Sequence, residues 1–165
     1  MNMRKKIWAV SAIIILTALD QLSKALVIQH FPTLGTSVPV VPGIFSITYQ
    51  INTGMAFSQG SSWGVPLIVL IILLALAALS YLIRPFLAFR GALSSLCLII
   101  AGAAGNLIDR IRLGHVTDFL DLHRGSFHWP VFNIADICVV IGVVTLVVTI
   151  FTAERKRPTP EGTTI

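Results

Sequence analysis

Apolar residues along the chain gather into four long runs, 7–28, 65–83, 92–108 and 132–151, and the stretches between them carry most of the charge. Each run approaches the roughly 20 residues with which a helix crosses a bilayer, so the pattern predicts four transmembrane helices. The first opens with "MNMRKK" and "IWAVSAIIILTAL" in the manner of a secretory leader, but it continues through "DQLSKALVI" with no A-x-A-like cleavage site. It is therefore read as a retained helix. Between the first two runs, "IFSITYQI" alternates, with Phe45, Ile47, Tyr49 and Ile51 on one face and Ser46, Thr48 and Gln50 on the other. This predicts a half-buried strand, and with it a small sheet at the membrane surface.

Composition supports a membrane setting: 55% of residues are hydrophobic, 12% are charged and the mean hydropathy is +0.87. Soluble domains carry about 25% charged residues. The chain reads as one integral membrane domain over 1–153, followed by a disordered tail, 154–165. Its net charge is +5, and positive charge gathers at Arg4, Lys5 and Lys6, at Arg84 and Arg90, and at Arg155, Lys156 and Arg157. That distribution is a topology signal, not a nucleic-acid footprint, and it puts both termini and the "RPFLAFRG" connection in the cytoplasm. Residues 29–64 and 109–131 then form the outer loops. The first contains no Lys, Arg, Asp or Glu; the second carries charge, three of the four histidines and Trp129. The histidines, His30, His115, His123 and His128, read as interfacial or solvent-facing. Cys97 and Cys138 lie in apolar runs without metal-ligand spacing and read as buried small hydrophobes.

Apart from Glu154 and Glu161, the acidic residues are Asp20, Asp109, Asp118, Asp121 and Asp136, and all five map to the outward half. A charge near the bilayer interior costs a few kcal/mol or more, so each needs a partner, a water-filled cavity or a function. Asp20 and Lys24 lie four apart on one helix face, consistent with a structural ion pair or with a site-supporting role. In "GNLIDR", Asn106, Asp109 and Arg110 fall within one turn, and the adjacent Asp109 and Arg110 point toward different partners. Asp136 lies about one turn into the fourth run, where the helix dipole contributes under about 1 kcal/mol and compensates poorly for apolar burial. Asn133 precedes it by one turn and can donate to a carboxylate or a carbonyl. Two aspartates from different segments, brought close, cannot both ionise, so one stays an acid while the other is a base, and such a pair activates water. The chain contains no HExxH, no Ser/His/Asp arrangement and no Gly-rich phosphate loop.

Five blocks in order, "DQLSK", "NTGMAF", "GNLIDR", "GHVTDF" and "FNIAD", resemble those of the lipoprotein signal peptidases, the type II signal peptidases of bacteria. The resemblance spans residues 20–136. It implies an all-α polytopic fold of four transmembrane helices with a small extracytoplasmic β-cradle and a short outer-loop helix. The implied activity is that of an intramembrane aspartyl protease of the bacterial inner membrane. Its substrates would be prolipoprotein signal peptides, cut before a diacylglyceryl-modified cysteine near the outer leaflet. Asp118 and Asp136 would be the catalytic dyad. Asn52, Asn106, Arg110 and Asn133 would bind or orient substrate, and Asp20, Lys24 and Asp109 would support the site. Gly54, with Gly60, would let the first outer loop close over substrate. No metal or organic cofactor is implied; membrane lipids are, as are cyclic-peptide inhibitors of the globomycin type that bind the dyad. Met55, Thr117 and Ile137 depart from the family pattern and bear on pocket shape.

Two other classes compete. A small transporter or proton pathway would also use membrane carboxylates, but it needs polar groups through the full thickness, whereas the second run is apolar from Val65 to Ala78. A structural assembly subunit explains the apolar runs and leaves Asp118, Asn133 and Asp136 without a purpose.

Overall fold

The computed structural model of the chain describes residues 2–53, 64–82, 84, 87, 89 and 91–155. Among these residues four helices and a four-stranded sheet follow in the order α1 (Met3–His30), β1 (Ser37–Val41), β2 (Phe45–Asn52), α2 (Gly64–Leu82), α3 (Ala92–Leu113), β3 (Val116–Arg124), β4 (Phe127–His128) and α4 (Ile134–Glu154). Helices α1, α3 and α4, the last as far as Ala153, are each long and apolar enough to cross a membrane. Their outward side chains, among them Ile14, Leu22, Val140, Val144 and Phe151, are largely exposed. That is the surface expected of helices whose solvent is acyl chain.

Helix α3 packs against α1, α2 and α4. It does so through small residues: Ala101 and Gly102 are buried in its middle, and a Cβ on Gly105 would collide with the Asp20 carboxylate of α1. Glycine is required there because two backbones close on a buried charge, the way small residues let membrane helices approach. α3 runs to Leu113, five residues beyond its predicted end, and stops at Gly114, whose φ of 77° suits only a residue without a Cβ. The chain then turns directly into β3.

The sheet is antiparallel throughout, in the order β1-β2-β3-β4. Strand β2 occupies the predicted segment, but its buried residues are Ser46 and Thr48, while Phe45, Ile47 and Tyr49 are half-buried and Ile51 is exposed. The hidden face is thus the polar one, because Ser46 and Thr48 find partners in His123 and Asp121. A bulge between Ile47 and Gln50 also breaks the expected alternation and sets Gln50 opposite Asp118. Most of the second outer loop proves to be the β3–β4 hairpin, and α4 begins at Ile134 with Asn133 as its cap, two residues later than expected. No short helix occurs among the described residues of either loop. Gly54, Met55, Gly60, Arg90 and residues 156–165 of the tail lie outside the described residues.

Candidate active site

The polar residues of the helical runs converge at one end of the helices, against β3, in three tiers. The first is an ionic cluster. Lys24 Nζ lies 2.9 Å from Asp20 Oδ2, 3.0 Å from Asp109 Oδ2 and 3.0 Å from Asn106 Oδ1, with Lys24, Asp20 and Asp109 at most 4% exposed. One ammonium serves two carboxylates, and the remaining lone pairs are also used. Asp20 Oδ1 accepts the Ala135 backbone N–H of α4 at 2.9 Å. Asp109 accepts Gln21 Nε2 at 2.9 Å and the Thr117 N–H at 3.1 Å. Such completeness is what makes buried charge tolerable. The cluster joins α1, α3, β3 and the start of α4.

The middle tier is a pair of asparagines. Because Lys24 donates to Asn106 Oδ1, the Asn106 amide is turned so that Nδ2 donates to Asp136 Oδ1 at 2.8 Å. Asn133 Nδ2 also donates to Asn106 Oδ1, at 3.1 Å, and to Asp118 Oδ1 at 2.6 Å. Asn133 additionally closes a capping box with Asp136: Asn133 Oδ1 accepts the Asp136 N–H at 3.0 Å, and Asp136 Oδ2 accepts the Asn133 N–H at 3.2 Å. One residue therefore touches both aspartates, and the gap of 17 residues between them is closed by the β3–β4 hairpin.

Asp118 and Asp136 form the top tier and differ in surroundings. Asp136 has a donor on each oxygen, the Asn106 amide on one and the Asn133 backbone N–H on the other. Asp118, on β3, is 4% exposed; burial and the neighbouring Asp136 charge push its carboxyl up to about 6, against hydrogen bonds from Asn133 and Asn52. Two carboxylates in unlike environments are the arrangement that separates an acid from a base.

Of the other residues singled out from sequence, Asn52 ends β2 within reach of Asp118. Arg110 Nη1 donates to the Asn106 carbonyl at 3.1 Å, and Arg110 shares an apolar cleft of about 420 Å³ with Asp136, Leu76 and Val139. A second cleft of about 350 Å³, walled by Trp129, Phe132, Ile137 and Ile141, also reaches Asp136. Sequence reasoning passed over Gln21, although "DQLSK" places it beside Asp20, and it passed over the caps on α4. An Asn-x-x-Asp ahead of an apolar run was the available signal.

The signal peptidase (SPase) II family model matches residues 12–152. The lipoprotein signal peptidase of Geobacter metallireducens is 44% identical over 142 residues, covering 84% of this chain and 87% of the relative. That of Moorella thermoacetica is 42% identical over 138 residues, 81% and 85% of the two chains. A solved bacterial membrane enzyme structure superposes with a TM-score of 0.73 at 28% identity, covering 93% of this chain and 94% of the other. A second such structure gives 0.71 at 29% identity, with 86% and 91% covered.

Proposed function

The chain belongs to the signal peptidase II family, and from that premise we propose that it is an aspartyl endopeptidase that removes signal peptides from prolipoproteins by cutting before a diacylglyceryl-modified cysteine. The observation that carries the aspartyl reading is Asn133, hydrogen-bonded at once to Asp118 and Asp136. In this reading four helices cross the inner membrane, both termini are cytoplasmic and the dyad lies near the outer leaflet. Concentration of the buried charge at one end of the helices favours a site over a transmembrane relay.

The acid's role falls to Asp118, whose carboxyl holds its proton more tightly than a free one, and the base's role to Asp136. Asp136 takes a proton from water as the oxygen attacks the scissile carbonyl, and Asp118 gives its proton to the carbonyl oxygen. Collapse then returns one hydroxyl proton to Asp118 while Asp136 protonates the leaving amine, restoring both groups. Asn106 and Asn133 hold the two carboxyls in register, and Lys24 fixes which way Asn106 faces. The two apolar clefts at Asp136 suit the hydrophobic signal peptide and the acyl chains, which keep the scissile bond beside the membrane. Cyclic peptides of the globomycin type would compete at the dyad.

The test is cleavage of a synthetic diacylglyceryl-cysteine prolipoprotein by the purified protein in detergent. Asp118→Asn and Asp136→Asn are each expected to lower kcat by at least about a thousandfold with folding retained. Activity within tenfold of the parent in either variant removes that residue from the chemistry.

A further inference from the structure

Beyond Asp118 the site does not end. A cavity of about 260 Å³ at this carboxyl is lined by Gln50, Asn52, Pro130 and Val131, and it abuts a second of about 490 Å³ that shares Gln50, Pro130 and Val131. Together they make a trough that runs along the sheet to Asp121 and His128, where Trp129 separates it from the second apolar cleft. Its far end is built in advance. Ser37 Oγ lies 2.8 Å from Thr48 Oγ1, Thr48 Oγ1 donates to Asp121 Oδ2 at 3.0 Å, and Asp121 Oδ1 pairs with His128 Nδ1 at 3.0 Å. His123 stacks on His128 with ring centroids 4.9 Å apart and bonds to Ser46 at 3.0 Å. The peptidase mechanism uses none of these groups.

We propose that this trough binds the polypeptide that follows the modified cysteine, in extended form and with small or polar side chains. The inference rests on the peptidase reading and adds the other half of the substrate to it. A scissile bond held at Asp118 and Asp136 must send its lipid-bearing, apolar parts one way and its polar continuation another. The clefts at Asp136 are apolar, whereas the trough offers hydroxyl, amide, carboxylate and imidazole groups on one side and the Trp129–Val131 segment on the other. From Asp118 to Asp121 is three strand residues, about 10 Å, so an extended chain brings the second or third residue past the cysteine to Asp121. The charged side chains that line the trough, Asp118 and Asp121, are both carboxylates, with His128 beside the second. An acidic residue arriving there meets like charge and is disfavoured.

The test compares two lipidated substrates, one ending at the cysteine amide and one carrying five further residues with Ser or Asp at the third. Gln50→Trp, at an exposed position where the two cavities join, is expected to raise KM for the longer Ser substrate about tenfold and to leave the truncated one within twofold. Asp in place of Ser is expected to lower kcat/KM about fivefold in the parent and to have no effect in Asp121→Asn, whose amide keeps partners for Thr48 and His128. Equal effects of Gln50→Trp on both substrates, or on neither, overturn the proposal, as does a parent enzyme indifferent to Ser and Asp. Cleavage of neither substrate by the parent protein overturns the peptidase reading itself, and the trough's role with it.

Discussion

Burial sets the Asp118 carboxyl apart from a free one, and its effect is measurable. Asp118 is raised to about 6 from 3.8 by burial and the Asp136 charge, so the folded protein binds its proton more tightly than the unfolded chain. Its contribution to stability is therefore fully present below about pH 3.8 and is lost as pH rises through about 6. Thermal melts of the parent in detergent should fall across that window, and melts of Asp118→Asn should lack the slope. If Asp118 is the acid, kcat/KM should also fall as pH rises through about 6 in a pH–rate profile. A second contrast lies next door. Thr117 is fully buried, and its Oγ1 has no hydrogen-bond partner among the described residues, whereas every polar atom of the neighbouring Asn133 side chain is engaged. Thr117→Val should leave the melting temperature unchanged or higher, because it removes an unpaired buried hydroxyl, while Asn133→Ala should cost about 2 kcal/mol or more. These charged and amide residues were legible in the sequence because apolar surroundings make each of them costly. Their partners were not, since Lys24 meets Asp109 and Asn106 across more than 80 residues.

Among the elements, each of the four apolar runs holds a helix, three of them long and apolar enough to cross a membrane among the described residues, and the sheet was legible only in part. β2 shows its alternation, but β3 does not, because Val116, Thr117, Asp118 and Phe119 are all buried. A strand covered on both faces loses its period of two. The end of α3 was misread for another reason: "DRIRL" looks like a polar loop, yet Arg110 and Arg112 sit in the last turn, where the helix dipole favours cations, and Gly114 supplies the stop. The bulge in β2 leaves no mark on the hydrophobic pattern. Packing at this scale rests on Gly105 and on the Lys24 cluster. Gly105→Val should drive Asp20 away from Lys24 and Ala135, and it should lower both melting temperature and activity. Lys24→Met leaves two buried carboxylates without their cation and should destabilise by about 3–5 kcal/mol, read in the same melts.

For the whole molecule, the account joins a bundle with an apolar exterior to a sheet that closes over its polar end. Three clefts meet at one pair of carboxyls, two of them apolar and one polar, which matches a substrate that is part lipid and part peptide. The proposed orientation, with both termini cytoplasmic, can be checked directly: a cysteine introduced at Ser126, in the β3–β4 turn, should react with an impermeant reagent from outside intact cells, and one at Asn2 should not. The most direct measurement reconstitutes the protein in a bilayer with a diacylglyceryl-modified prolipoprotein and with the same chain unmodified, and reads the products by mass. The account expects a single cut that leaves the lipidated cysteine as the new N-terminus, in the modified substrate alone, abolished by either Asp118→Asn or Asp136→Asn. A cut at another bond, or a cut that survives both substitutions together, would contradict it.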